Sequence, residues 1–190
     1  MSEARPDPDL RAEAHSLLHN QGLLALLETF GEPRPHGSYV LDVMVRRDLN
    51  IYIVTDKQSV SDFFTLGGQL AALLKPARMT FRNETIARSP GPPPSLNWSI
   101  QLAGDPGWNM DIWTVSQAEY ERLTVYESDL QKRLTDDSRR AIRFLKAQFW
   151  QHPLYRQSFF ARDIYDAVVY DEVIDPDAFV NYLVDKGIHI

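Results

Sequence analysis

The sequence predicts an α+β protein, in which a helix and a mixed β-sheet are followed by a helical C-terminal half. Three observations support this prediction. Residues 48–54 have the nearly continuous, β-branched apolar character of a buried strand. Further strand-like runs follow at 78–85, 96–103 and 108–115. From Ser116 onward the composition changes to that of helices.

This change in composition sets the expected domain boundary. We expect a sheet domain with flanking helices over residues 1–116 and a helical domain over residues 117–190. The chain has 190 residues, of which 44% are hydrophobic and 24% are charged, as in an ordinary globular protein. This length suits one compact domain, or a small domain with an appendage.

Local signals place the remaining elements. Leucines near helical spacing predict a helix over 9–29 that ends at Gly31. Residues 33–36, with two prolines, are interpreted as a stiff connector, and the turn at 104–107 predicts a hairpin between the last two strand runs. Capping residues and helix-ending prolines or glycines predict five further helices. They run from Ser59 or Ser61 to Leu74, from 117 onward, from Asp136 or Asp137 to Gln151, from Ser158 to Tyr170, and from Pro176 to Gly187.

Composition excludes several classes of site. The chain has no cysteine, so it has no disulfide, thiolate zinc site or cysteine nucleophile. No apolar run approaches the roughly 20 residues that span a bilayer, so no membrane partner is expected. The polar N-terminus, 1–9, is not a signal peptide, and we expect a cytoplasmic protein. The formal net charge of −6 argues against a nucleic-acid partner without excluding one.

A set of polar residues around the first strand carries the functional signal. Nine residues separate the Gly37-Ser38 turn from Asp48, Asn50 lies two positions further on, and Asp111 stands in a later apolar run. Acidic residues two apart on a strand point to one face, and a Gly-Ser turn lets backbone N–H groups approach phosphate oxygens. Two divalent metals held by such carboxylates can align and neutralise a triphosphate during nucleotidyl transfer.

This arrangement resembles the DNA-polymerase-beta-like nucleotidyltransferase superfamily, particularly its small bacterial, antibiotic-nucleotidyltransferase-like members. The family pattern is an apolar residue, Gly, Gly or Ser, about nine to thirteen residues, then acid, apolar, acid, apolar, with a later acid on another strand. This chain matches with Gly37-Ser38, Asp48 and Asp111, whereas Asn50 replaces the second acid. The motif resemblance covers roughly residues 15–116 and implies a nucleotidyltransferase-like mixed sheet followed by a helical region.

The resemblance also implies roles for individual residues. Asp48 and Asp111 would be catalytic, and with Asn50 they would bind Mg²⁺ or Mn²⁺; Asp111 could also act as general base. The nucleotide triphosphate would bind to Gly37 and Ser38 of the turn and to the two arginines Arg46 and Arg47. An amide oxygen at position 50 brings no charge to a metal, so the motif is degenerate at that position.

Two functions follow from this motif. The first is a metal-dependent enzyme that moves a nucleoside monophosphate from an NTP to a hydroxyl on a small molecule, with a protein or an RNA as alternative acceptors, and that could form a homodimer. The second is a catalytically impaired module that binds a nucleotide or a protein partner. Arg78 and Arg82 on a predicted strand could lie near a substrate, although an exposed strand face explains them as well, and Lys146 on a helix is a further candidate for a phosphate contact.

Overall fold

The protein is described here by a computed structural model, which covers residues 9–56, 59–85 and 95–190. Helices and strands alternate in the first part of the chain, and helices alone follow. In chain order the elements are α1 (Leu10–His15), a π-helical turn (Ser16–Asn20), α2 (Leu23–Leu27), β1 (Glu32–His36), β2 (Asp48–Val54), α3 (Val60–Leu74), β3 (Arg78–Asn83), β4 (Leu96–Gln101), β5 (Asn109–Val115), α4 (Gln117–Arg133), α5 (Asp136–Phe149), α6 (Ala161–Tyr170) and α7 (Pro176–Asp185).

The strands form one mixed, five-stranded sheet in the order β1-β2-β5-β4-β3. β2 and β5 are parallel, and the other neighbours are antiparallel. β2 has the bounds predicted from the sequence, and β4 and β5 form the predicted hairpin. Burial along β2 alternates, with Leu49, Ile51 and Ile53 fully buried, so the nearly continuous apolar character expected from the sequence is in the structure a strand with one buried face. The predicted α+β class is confirmed.

The helix predicted over 9–29 is not continuous. α1 continues into the π-helical turn, and Gly22 then adopts a φ of 80° before α2 begins. A positive φ is accessible to glycine at little cost, so Gly22 allows the chain to change direction between two leucine-rich segments. Of the leucines whose spacing predicts the helix, Leu17, Leu18 and Leu27 are buried, whereas Leu10 and Leu24 are only partly buried.

The predicted connector at 33–36 is wrong: these residues belong to β1, an edge strand antiparallel to β2. Pro33 and Pro35 alternate with Arg34 along the strand. A proline can occupy an edge strand when its missing N–H faces the open side, and residues two apart direct their N–H groups to the same side. The two prolines therefore leave the pairing with β2 intact and block the outer edge against further strands.

The apolar face of the sheet packs against α3. Trp98 on β4 stacks against Phe63 with ring centroids 6.0 Å apart, and its indole nitrogen donates a hydrogen bond to the Phe63 carbonyl at 3.0 Å. Ser59 caps α3 as predicted by accepting a hydrogen bond from the Asp62 N–H. Gly67 lies directly over the Trp98 ring, where a Cβ would meet ring atoms at 2.5 Å.

Two adjacent glycines in α3 are expected to respond to alanine with opposite signs. Gly67→Ala forces Cβ into the Trp98 ring, and such overpacking costs about 1–3 kcal/mol of unfolding free energy. Gly68 is exposed and has no atom within 4 Å of a built Cβ, so Gly68→Ala should stabilise by up to about 1 kcal/mol. Urea unfolding of both variants measures the difference, and equal shifts would contradict this packing.

The chain divides into two compact units. The first contains residues 1–40 and 46–124, and the second contains 41–45 and 125–190. The predicted boundary after residue 116 lies just before α4, whose first eight residues group with the sheet. Among the described residues, no helix combines the length and apolar character needed to cross a membrane.

The second unit is a helical bundle around an aromatic core. Phe159 and Phe179 are fully buried, and the Phe149 ring lies 6.2 Å and 5.0 Å from them. α7 begins at the predicted Asp175-Pro176 pair, with the Asp175 carboxylate as its cap. α6 begins at Ala161 instead of Ser158, because the chain from His152 to Phe159 forms a series of turns that buries Phe159 before the helix starts.

Basic side chains of α5 hold the short segment 41–45 within this unit. Arg139 donates to the Leu41 carbonyl at 3.1 Å, and Arg143 donates to the Asp42 carbonyl at 2.6 Å. Lys146 is buried and donates to the Val43 carbonyl at 2.8 Å and to the Tyr165 hydroxyl at 3.2 Å. Lys146, considered above for phosphate binding, therefore satisfies buried acceptors of the protein itself.

Candidate active site

The face of the sheet opposite α3 is polar. Along β2, Asp48, Asn50 and Tyr52 alternate with three fully buried apolar residues. Residues that alternate along a strand point to opposite faces, so these three share the polar face. Asn50 pairs in register with Asp111 on the neighbouring parallel strand. The three residues of the sequence motif, Asp48, Asn50 and Asp111, therefore lie on one face of two adjacent strands, which are spaced roughly 4.8 Å apart.

The Gly37-Ser38 turn lies at the same end of the sheet. β1 ends at His36, which pairs with Asn50, and β1 runs antiparallel to β2. The residues after His36 therefore continue toward the Asp48 end of β2. Gly37 has a φ of 73°, a left-handed conformation that favours glycine. The turn thus begins beside the two polar residues of β2, as the motif predicts.

Asp48 is in direct contact with Arg46. Its Oδ2 accepts a hydrogen bond from Nη2 of Arg46 at 2.6 Å, and only 13% of the Asp48 side chain is exposed. Charge-assisted hydrogen bonds of this length are among the stronger polar contacts in proteins. The predicted phosphate ligand Arg46 therefore lies at the candidate site, where it neutralises one of the two carboxylates.

Asp111 is surrounded by a network from β3 and β4. The Ser99 hydroxyl donates to Oδ1 of Asp111, and Nη2 of Arg82 lies 3.7 Å from the same oxygen. Arg82 also donates from Nε to the Asn97 side chain at 3.0 Å, and its guanidinium lies 5.0 Å from the centroid of the Trp113 ring. Sequence reasoning missed Ser99 and Asn97. The alternation of polar and apolar residues along β4 was the signal that could have found them.

The other predicted phosphate ligand, Arg47, has a different partner. Its guanidinium donates to both carboxylate oxygens of Glu13 on α1, at 2.7 and 2.9 Å. These hydrogen bonds are the main reason why the pKa of Glu13 is lower than its ordinary value. The structure thus places Arg47 in a bidentate ion pair, and its role toward a nucleotide stays a prediction.

The residues present do not fit the predicted cluster of two divalent metals. In the described ranges 9–56, 59–85 and 95–190, no group of three or more acidic, histidine or cysteine side chains is arranged to hold a metal ion. Two metals require several shared carboxylates. Here Asn50 contributes an uncharged oxygen, Arg46 pairs with Asp48, and Ser99 and Arg82 engage Asp111.

His36, directly before the Gly37 turn, is a further unusual feature of this edge. Its ring stacks on Tyr52, with centroids 3.8 Å apart and planes 2° from parallel. Its Nε2 is buried and has no hydrogen-bond partner in the described part of the chain. Burial lowers the pKa of His36 to about 4. The family pattern has an apolar residue here, and the stacked neutral ring fills that place at the cost of an unsatisfied nitrogen.

We expect His36→Phe to stabilise the protein by about 1 kcal/mol at neutral pH, since it removes the unsatisfied nitrogen and keeps the ring stack. As pH falls from 6.5 to about 4, an unfolded histidine binds a proton that folded His36 excludes, so wild-type stability falls. The variant should lose that part of the pH dependence. Unfolding curves of both proteins across this range test the expectation; an unchanged pH slope would contradict it.

Comparison with known proteins relates this geometry to a class. No protein-family model matches the chain, and no curated protein matches it. Among solved structures, the chain is similar to a cytoplasmic RNA terminal U-transferase, with 16% identity and a TM-score of 0.57 over 90% of this chain and 48% of that one. It also matches the Cid1 poly(U) polymerase bound to Mg and 3′-dATP, with 17% identity and a TM-score of 0.47 over 72% and 40% of the two chains.

The fold is therefore that of a nucleotidyltransferase: a mixed sheet with flanking helices, followed by further helices. The chain spans about half the length of the solved proteins that it matches. At 16% identity the likeness concerns the fold alone. The small bacterial, antibiotic-nucleotidyltransferase-like type stays a prediction.

The expectation about nucleic acid is wrong. The same fold occurs in an RNA terminal U-transferase, so the total charge of this chain does not argue against a nucleic-acid partner. The expectation was drawn from the net charge of −6, which sums over the whole chain. The polar face of the sheet is locally different, because Arg82 on β3 lies beside Asp111 and Arg46 lies beside Asp48. Local charge, and not the total, determines what a surface binds.

Proposed function

We propose that this protein transfers a nucleoside monophosphate from a nucleoside triphosphate to a hydroxyl acceptor. One observation carries the proposal. Asp48 and Asp111 lie on one face of adjacent parallel strands, beside the Gly37-Ser38 turn, on a nucleotidyltransferase fold. Each residue alone has an ordinary structural explanation, whereas their convergence through pairing of distant strands does not follow from packing.

The proposed chemistry assigns proton transfer to Asp111. The acceptor hydroxyl loses its proton to the Asp111 carboxylate, and its oxygen attacks the α-phosphorus. A new oxygen–phosphorus bond forms, the bond between the α-phosphorus and the bridging oxygen breaks, and pyrophosphate leaves. Ser99 orients Asp111 by donating to one of its oxygens, which leaves the other oxygen for the acceptor. Backbone N–H groups at the turn of Gly37 and Ser38 bind the leaving phosphates.

We infer that the acceptor is the terminal hydroxyl of an RNA. This class is supported by the RNA terminal U-transferase that shares the fold and by the arginines beside the site. Arginine binds phosphate oxygens through its planar fork, which suits a polynucleotide backbone. The aromatic residues Tyr52 and Trp113 border the carboxylates on the same face and could contact bases.

A transfer assay tests the proposal. The purified protein is incubated with each labelled NTP, an RNA oligonucleotide with a free 3′ hydroxyl, and Mg²⁺ or Mn²⁺, the divalent ions predicted from the sequence motif. The expected product is an RNA extended by nucleotides at its 3′ end. The same oligonucleotide with a 3′ phosphate is the matched control and should stay unchanged. Failure to extend the free end with any NTP and either metal would contradict the proposal.

A second candidate function is a nucleotide-binding module without turnover, and Asn50 specifically favours it. Asn50 occupies the register position between His36 and Asp111, where the family has its second acid. The variant Asn50→Asp restores that acid. If wild type binds NTP without transfer and the variant gains transfer, the module is the correct function. If wild type already transfers and Asn50→Asp changes the rate little, the enzyme is correct.

A further inference from the structure

The charge at the carboxylate site is balanced by arginines of the protein itself. Asp48 is hydrogen-bonded to Arg46 at 2.6 Å, and Asp111 lies 3.7 Å from Arg82. Asn50, which lies in register with Asp111, contributes no charge. Two carboxylates and two guanidinium groups thus meet at one place. A motif with a third acid would instead carry excess negative charge and would repel a polyphosphate unless metal ions were bound.

Arg82 is held in position by groups other than the carboxylate. Its Nε donates to Asn97, its Nη2 donates to the Ser99 hydroxyl at 3.3 Å, and its guanidinium lies near the Trp113 ring. About half of its side chain, 47%, is nevertheless exposed. Arginine has five N–H donors, so these contacts leave donors on the other terminal nitrogen for a ligand in solution. The ion pair with Asp111, at 3.7 Å, is the loosest of these contacts.

Arg46 offers a second guanidinium at the opposite side of the same carboxylates. It directly precedes β2, and a quarter of its side chain, 25%, is exposed. β1 ends where β2 begins, so Arg46 and the Gly37 turn lie at the same end of the sheet. A phosphate chain that passes over Asp48 and Asp111 would have an arginine on each side.

We propose that this site binds the phosphate chain of a nucleotide through Arg46 and Arg82 without requiring a divalent metal ion. The arginines supply positive charge at the position where the family uses metal ions, and Asn50 removes the negative charge that would make those ions necessary for binding. The inference rests on the proposed function because it uses the same site. It names the anion class and the cationic residues, and it concerns binding alone.

Calorimetric titration in the presence of EDTA tests this inference. The probes are UTP, ATP and inorganic tripolyphosphate, with uridine as a probe that lacks phosphate. Wild type is expected to bind all three phosphate compounds in EDTA and not to bind uridine. Replacing EDTA with Mg²⁺ should change the affinity less than about tenfold. Binding of tripolyphosphate only when Mg²⁺ is present would overturn the inference.

Variants assign the binding to particular residues. Arg82→Gln and Arg46→Gln should each weaken tripolyphosphate binding in EDTA by about tenfold or more, as expected for the loss of charge-assisted hydrogen bonds. Arg34→Gln is the matched control, because it removes one positive charge from the β1 edge, where Arg34 pairs with Glu32. Equal affinities for wild type and Arg82→Gln, with thermal unfolding unchanged, would overturn the role of Arg82.

The most specific variant is Asn50→Asp. It adds one negative charge beside Asp111 without changing the size of the side chain. It should weaken metal-free tripolyphosphate binding by about tenfold, and Mg²⁺ should restore that affinity. Unchanged binding in EDTA would overturn the inference. Transfer activity is measured separately, so an active enzyme that needs Mg²⁺ for binding refutes this inference alone, and metal-free binding without transfer refutes the proposed function alone.

Discussion

Asp111→Asn is expected to reduce the rate of nucleotidyl transfer by about 10²–10⁴-fold, the usual contribution of a positioned general base. The substitution keeps the shape of the side chain and keeps an oxygen that can accept the hydrogen bond from Ser99. It removes the ability to take a proton from the acceptor hydroxyl. The loss should therefore appear in the turnover rate, while thermal unfolding changes little and the affinity for NTP does not fall.

Asp48→Asn should also lower the transfer rate, because it removes the charge that holds the Arg46 guanidinium at the site. The matched control is Asp62→Asn. Asp62 is an exposed acid in the first turn of α3, which packs against the apolar face of the sheet. The control should keep wild-type activity. Full activity in both Asp48→Asn and Asp111→Asn would show that the carboxylates on the polar face do not perform the chemistry.

The second large effect is expected on stability. Phe159→Ala should lower the unfolding free energy of the helical unit by about 3–5 kcal/mol, the usual cost of removing a buried phenylalanine from a packed core. Phe159 is 0% exposed and its ring lies against those of Phe149, Tyr155 and Phe179. No side chain nearby can fill the space without leaving its own packing position, so a cavity remains.

The next residue in the chain provides the control. Phe160 is 50% exposed. The contact of this residue with Asp163 at the start of α6 is made by its backbone N–H and does not depend on the ring. Phe160→Ala should therefore change stability by less than about 1 kcal/mol. Chemical denaturation monitored by circular dichroism measures both variants. Similar losses for the two would mean that the burial assigned to Phe159 is incorrect.

The candidate site was predicted in part because its signals are local. Asp48 and Asn50 belong to one strand, and period-two alternation alone places them on one face. The Gly37 turn was found because a glycine at this spacing is part of the family motif. Ser99 and Arg82, which engage Asp111, come from strands that only the pairing order of the sheet brings beside it. A polar residue on an isolated strand carries no information about its cross-strand neighbours.

Errors in the fold prediction have the same origin. The two prolines at 33 and 35 argue against a strand in sequence, and only the position of β1 at the sheet edge makes them compatible with pairing. From the sequence, Lys146 is only a basic residue on a predicted helix. The carbonyl of Val43, brought to it by a segment about a hundred residues earlier in the chain, explains its burial.

The sequence by itself determined the α+β class, the bounds of β2 and the placement of Asp48 and Asn50 on one face of β2, because these depend on local periodicity. Tertiary structure alone decided that Ser99 and Arg82 would lie beside Asp111. The physical reason is that charge balance at a site is a sum over groups that lie close in space. Strand order and register, which no single segment encodes, determine which groups those are.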